Sequence, residues 1–273
     1  MCIRDSFNPK LGLTYLIDQN TSIYGSFAVA NREPVRSDFL DARGVDVPDS
    51  EHLQDFELGF RKRGHQWAVD ANVYFMNYLD QLVLTGAVND VGGLVRTNVE
   101  SSHRMGIELS GEFQLSDQWK WSPNVTLARS NIASFTQTVV DFETFTEINT
   151  DFEDTEISFS PNVIAGSILS YKPIYGLELN LLSKFVSRQY IDNTNSLDRS
   201  LPSYMVHDVM AKYTIESDLI QKVEFKLLVN NILNAQFSSN AYTYSYIFGQ
   251  LVTENYLYPQ AGTNLLLNVA VTF

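Results

Sequence analysis

The sequence predicts an all-β protein, a transmembrane antiparallel β-barrel segment of about eleven long strands that forms an incomplete part of a larger barrel. Three observations carry this expectation. Apolar and polar residues alternate over stretches of about ten positions, the mark of strands with two different faces. The connections alternate strictly between short and long; a soluble meander has no reason to do this, whereas outer-membrane barrels pair short periplasmic turns with long outer loops. Aromatics supply 12% of residues and charged residues only 19%, a β-rich inventory without helix-favouring alanine-rich blocks.

In chain order, strands are expected at residues 9–17, 21–31, 51–62, 66–80, 101–114, 119–133, 159–171, 176–190, 202–215, 222–233 and 262–273. Four are clearest. Trp67, Val69, Ala71, Val73 and Phe75 stand against Asp70, Asn72 and Tyr74. Leu177, Leu179, Leu181 and Phe185 oppose Glu178, Asn180, Lys184 and Arg188; Val223, Phe225, Leu227 and Val229 oppose Glu224, Lys226 and Asn230. The last run sets Leu265, Leu267, Val269, Val271 and Phe273 against Asn264, Asn268, Ala270 and Thr272. Tilted strands crossing a bilayer need about nine to eleven residues, against the five or six usual in soluble sheets. A slip of one residue would turn Glu224 and Lys226 into hydrocarbon, at about 2–4 kcal/mol for a midplane Lys, so the register is strongly specified.

Five connections are tight: Asp18-Gln19-Asn20, Arg63-Gly64-His65, Ser116-Asp117-Gln118, Pro173-Ile174-Tyr175 and Glu216 to Leu219. Five are long, near residues 32–50, 81–100, 134–158, 191–201 and 234–261, and are assigned to the cell exterior. Trp119, Trp121, Tyr171, Tyr175, Tyr190, Tyr204, Tyr213 and Phe273 fall near strand ends, where barrels carry interfacial girdles. Glu57, Arg61, Asp70, Glu108, Glu112, Glu178, Lys184, Arg188, Asp208 and Lys212 are expected to face inward in cross-strand charge ladders. Eleven crossings do not return both ends to one side, so the chain is expected to be incomplete at its amino end. Residues 1–6, which fit no signal peptide, read as a non-native or false start.

A formal charge of −13 argues against a nucleic-acid partner, which needs a basic surface. The single Cys2 excludes a disulfide framework. His52, His65, His103 and His207 are scattered without metal-ligand spacing, and no nucleophile elbow, phosphate loop or dinucleotide pattern is present, so no metal, cofactor or enzymatic role is assigned. The stretch from Asp141 to Glu156 holds seven acids and no base; it reads as a solvated loop, with collection of divalent cations or of a cationic ligand as the alternative.

Candidate ligand contacts lie in two outer segments. Tyr242, Tyr244 and Tyr246, with Phe248, Tyr256 and Tyr258 nearby, crowd the last long connection among Ser, Thr and Asn, a surface suited to an aromatic or sugar-like ligand. The alternation equally suits a hairpin rising above the membrane. Arg32, Arg36 and Arg43 could hold an anionic chelate.

Several segments together resemble the carboxyl-terminal half of the barrel of a TonB-dependent outer-membrane receptor: Tyr24 to Pro34 (YGSFAVANREP), Glu51 to Phe60 (EHLQDFELGF), Arg104 to Glu112 (RMGIELSGE), Leu228 to Phe237 (LVNNILNAQF), and Tyr258-Pro259-Gln260-Ala261-Gly262 before a strand closing on Phe273. The resemblance runs over residues 7–273. It implies a 22-stranded barrel whose plug domain and TonB box are not found in these residues. It further implies a place in the outer membrane among lipid and lipopolysaccharide, and import of a scarce ligand such as a ferric siderophore with energy from the TonB complex acting through the plug. Phe273 resembles the signal read by the barrel-assembly machinery. A plug-free outer-membrane channel and a soluble or surface β-rich binding protein are the alternatives; the second predicts short, equal turns on both edges.

Overall fold

A computed structural model describes residues 6–41, 47–89, 91, 93–216 and 221–273. Cys2, most of the expected false start and the turn after Glu216 lie outside the described residues. In chain order the elements are β1 (Lys10–Leu16), β2 (Thr21–Arg32), the short helix α1 (Arg36–Asp41), β3 (Glu51–Arg63), β4 (Trp67–Val88), β5 (Leu94–Gln114), β6 (Trp119–Asp141), β7 (Thr146–Glu156), β8 (Val163–Ile174) and β9 (Leu177–Val186). There follow β10 (Gln189–Tyr190), a 3-10 turn at Leu197–Arg199, β11 (Ser200–Leu201), β12 (Tyr204–Glu216), β13 (Lys222–Asn230), β14 (Ser238–Phe248), β15 (Gln250–Pro259) and β16 (Asn264–Thr272).

Eleven strands form one antiparallel wall in the order β1-β2-β3-β4-β5-β6-β8-β9-β12-β13-β16, so every expected crossing is present. The wall is open, with β1 and β16 each paired on one side only. Its register builds continuous apolar rows. Phe27, Phe56, Phe75 and Met105 are successive partners, and so are Leu169, Leu181, Val209, Val229 and Leu265. These rows stand bare: Phe56 is 46% exposed, Phe75 41%, Leu181 40% and Leu265 70%. A water-facing monomer rarely shows a contiguous apolar patch above a few hundred Å², so this face requires hydrocarbon. No helix among the described residues is long and apolar enough to cross a membrane; the crossing is made by strands.

The opposite face carries the charges. Arg61 Nε meets Asp70 Oδ1 at 2.7 Å, Lys212 meets Glu178 at 3.4 Å, and Glu224 is held between Lys222 and Lys226 at 2.8 and 2.6 Å. Such part-exposed pairs contribute about 0–1 kcal/mol each, so they fix the identity of the face more than its stability. Two expected ladder members take other partners. The strand expected over 176–190 stops at Val186, and Arg188 instead reaches the Ser200 hydroxyl at 3.0 Å. Asp208 caps the Asn231 amide at 2.7 Å where the chain leaves β13.

The tight turns follow local chemistry. Asp18 Oδ1 accepts from the Asn20 amide at 2.7 Å and Ser116 Oγ from that of Trp119 at 3.2 Å, the side-chain mimicry that favours Asp and Ser in turns. Gly176 has φ +79°, and a Cβ there would lie 2.5 Å from the Thr214 carbonyl, so only glycine fits. Among the girdle aromatics, Trp119 stacks on Tyr171 at 4.3 Å and Tyr204 on Phe237 at 4.3 Å, while Tyr190 belongs to an outer connection.

The long connections depart from expectation by being built. Residues 32–50 contain α1, β4 and β5 run on past the wall as a hairpin, β6 pairs with β8 low down and with β7 higher up, and β14–β15 is a further hairpin. The β7 sequence TEINTDFEDTE hides its strand because polar pairs replace apolar ones, as in Thr136 to Asp151 at 2.7 Å and Thr138 to Asn149 at 2.8 Å. The buried apolar clusters also lie here: Val83, Val99, Ile132, Phe135 and Ile157 in one, Ile191, Leu201 and Ala241 in the other.

Replacing Leu227 by Lys is expected to cost about 2–4 kcal/mol in a bilayer, whereas Lys226→Leu on the other face stays within about 1 kcal/mol. Urea midpoints of the two variants in lipid vesicles check this, and equal effects would contradict the assignment of faces.

Candidate ligand-binding site

The β14–β15 hairpin turns at Gly249, φ +66°, and its register sets Tyr242 opposite Tyr256, Tyr244 opposite Glu254 and Tyr246 opposite Val252. These six side chains therefore share one face. β14 also pairs in parallel with β6, Tyr246 beside Val140, and β6 pairs with β7, Val140 beside Glu147. The result is a four-stranded outer sheet, β15-β14-β6-β7. On the other face the central strands β6 and β14 are packed, with Val139 6% and Ala241 1% exposed.

On the open face the rings are organised. Tyr242 stacks on Tyr256 at 4.7 Å and 9°, Tyr246 tilts over Phe142 at 5.4 Å, and Tyr244 meets Tyr246 at 5.6 Å. Glu254 stands among them: Tyr246 donates to its Oε1 at 3.2 Å and Tyr256 to its Oε2. The Glu254 hydrogen bond and charge raise the Tyr256 phenol above its ordinary value; for Tyr246, burial leads and Glu254 adds. Both hydroxyls are turned onto Glu254, which leaves the rings as the surface presented.

A strap between β9 and β12, residues 187–203, supports this sheet. Asn193, fully buried, donates to the Leu84 carbonyl at 2.6 Å and accepts from the Ser158 amide at 2.8 Å. Asn195 accepts from the Glu156 amide at 2.8 Å, and Asn255 donates to the Asp198 carbonyl at 2.7 Å. The strap thus ties together the β4–β5, β6–β7 and β14–β15 hairpins. Inside it Asp192 and Arg199 meet at 2.9 Å, off the line of a hydrogen bond. Burial, the largest influence, pushes the Asp192 carboxyl up despite Arg199 and Thr194.

Of the residues singled out in sequence, Tyr242, Tyr244 and Tyr246 come together with Tyr256 on one face. Arg32 lies at the end of β2 and is paired with the buried Glu51 at 3.1 Å, and Glu51 also accepts from the Leu82 amide at 3.0 Å. Arg36 opens α1 and is exposed; Arg43 lies outside the described residues. The acidic stretch expected to be a solvated loop is ordered as the β6–β7 hairpin, and Asp154 pairs with Arg129 at 3.3 Å. Among the described residues no group of three His, Cys, Asp or Glu could hold a metal. Sequence reading missed Glu254, Phe142 and Asn193. Period two along Val252, Glu254, Tyr256 and Tyr258 would have placed Glu254 on the tyrosine face; nothing local marks Asn193, whose partners lie up to 109 positions away.

Two outcomes are expected. Glu254→Gln lowers the pH at which Tyr256 ionises, read from phenolate absorbance in an alkaline titration. An aspartate whose folded-state pKa is raised contributes stability that is present below its ordinary value of 3.8 and lost as pH rises through the folded value. Exchange protection of strap amides, corrected for intrinsic rates, should therefore increase as pH is lowered from neutrality toward about 4; unchanged protection would contradict this.

The family described as TonB dependent receptor-like, beta-barrel matches residues 4–232. No curated protein matches. Solved structures similar to the chain include the siderophore receptor PiuA from Acinetobacter baumannii, at 20% identity and TM-score 0.66, over 95% of this chain and 35% of that one. The ferric citrate transporter FecA is similar at 16% and 0.71, over 97% and 38%, and the ferric yersiniabactin uptake receptor FyuA from Yersinia pestis at 17% and 0.63, over 97% and 37%. The chain therefore spans 35–38% of the length of these structures, and at such identities the likeness is one of fold. It accounts for the bare apolar rows as the outside of a barrel wall and the charged face as its lining. Among the described residues the long hairpins lie on one rim, and with this match they set aside the soluble alternative. The family is one of outer-membrane transport receptors, not of enzymes, and the chain belongs to it: this is β-barrel wall of a TonB-dependent receptor.

Proposed function

We propose that the full receptor binds a metal chelate of siderophore type at its outer rim and passes it inward in a step driven by the TonB complex through a plug domain, with no bond made or broken. The observation that carries this reading is the tyrosine face of the outer sheet. Tyr242, Tyr244, Tyr246 and Tyr256 lie together, two of their hydroxyls engaged by Glu254, with the rings of Tyr244 and Tyr256 41% and 43% exposed and open to a ligand. Rigid amphipathic rings give large contact area at low entropic cost. The siderophore, ferric citrate and ferric yersiniabactin proteins that share the fold support the ligand class.

Arg32 and Arg36 are proposed as secondary contacts for an anionic part of the ligand, Arg32 already sharing its charge with Glu51. The outer wall is proposed to sit among lipid and lipopolysaccharide, and Phe273, 84% exposed, to be read by the barrel-assembly machinery.

Uptake of radiolabelled ferric chelates by iron-limited cells carrying the full receptor tests the reading. Tyr244→Ala and Tyr256→Ala should each lower uptake about tenfold, the loss expected for one aromatic contact. Uptake unchanged in both, at normal surface levels, would remove the tyrosine face from the binding site.

A further inference from the structure

The tyrosine face has a charge as well as a shape. Register places Glu147, Asp151 and Glu153 of β7 on the same face of the outer sheet as Tyr246 and Glu254, because Val140 pairs with Glu147, Thr136 with Asp151 and Ser134 with Glu153. All three β7 acids are exposed. The Glu143 carboxylate lies 4.0 Å from where a side chain on Gly249 would begin, at the hairpin tip. Residues 134–158 and 238–260, the two segments that form the sheet, together contain eight carboxylates and no Lys, Arg or His.

The elements packed against the sheet do not reverse this sign. On the strap Arg199 is consumed by buried Asp192 and Arg188 is matched in number by Asp198. Arg129, below the sheet, is paired with Asp154. Rings and carboxylates on one exposed face of the sheet favour a cation: the ring quadrupole attracts it, and the charges raise its local concentration. A chelate with several negative charges meets repulsion from the same groups.

Resting on the reading that this face contacts the ligand, we infer that the chelate taken here carries a positive charge, as a free ammonium group placed against Tyr244, Tyr256 and Glu254. The ammonium is held by cation–π contact and by the carboxylates, and the metal stays wrapped in its own chelator.

The test uses the full-length receptor in outer-membrane vesicles and three probes: a ferric linear trihydroxamate with a free terminal ammonium, the same chelate N-acetylated, and a ferric tris-catecholate. The ammonium form should bind about tenfold more tightly than the acetylated form, and the tris-catecholate more weakly than either. The gap should shrink severalfold in high salt and in both Glu254→Gln and the double variant Glu147→Gln, Glu153→Gln, whose side chains hold no tyrosine. Equal affinity for the ammonium and acetylated forms, or preference for the tris-catecholate, overturns the charge assignment; if Tyr244→Ala and Tyr256→Ala still weaken binding, the contact surface itself stands. Binding of all three probes indifferent to the tyrosine substitutions overturns both.

Discussion

Each strand of the wall has to satisfy two solvents at once, hydrocarbon on one face and water on the other, with its backbone groups paired to neighbouring strands. Lipid offers nothing to an unpaired amide, so strands are long, continuous and flanked by neighbours. The side-chain period of two then does the sorting, and a single slipped residue would carry Lys226 and Glu224 into the Leu227 row. Because hydrocarbon covers the apolar face, no second protein layer is needed. The wall accordingly has no core, and its most apolar residues are among its most exposed.

Beyond the bilayer that rule lapses and those of soluble proteins return. The hairpins that rise from the wall have packed faces, buried clusters around Ile132 and Ile191, and a buried polar strap. Asn193 shows how such a structure is specified. Its amide satisfies one carbonyl and one backbone amide in two different hairpins, so its loss would strand buried polar groups at about 1–3 kcal/mol each. The Asp192–Arg199 pair adds orientation more than stability, since desolvation of two charges offsets most of their attraction.

This division explains what could be read from sequence. The eleven crossings were legible because hydrocarbon enforces a strict pattern, and a run such as Val223 to Val229 has no other reasonable meaning. The turns at Asp18 and Ser116 were legible because their side chains act within two or three residues. β7 was not, since Thr, Asn and Asp pair across it by hydrogen bonds that leave no apolar alternation. Nor was the joining of β14 to β6, a two-residue parallel contact between segments about a hundred positions apart. The tyrosines were visible individually; the surface they make with Glu254 and the β7 acids depends on that contact.

The same contact bears on why the tyrosines stand where they do. A tyrosine at a lipid interface divides its labour, ring toward the membrane and hydroxyl toward water. In the outer sheet the hydroxyls of Tyr246 and Tyr256 are turned instead onto one carboxylate of their own hairpin. This fixes the rings side by side and reduces their remaining polar demand. What is left open is flat, weakly polar area bordered by negative charge, on a sheet whose strand β14 is packed from behind against the strap. Stiffness is thus supplied from behind and adhesion from the front, which lets a segment that follows none of the wall's rules hold a defined shape above it.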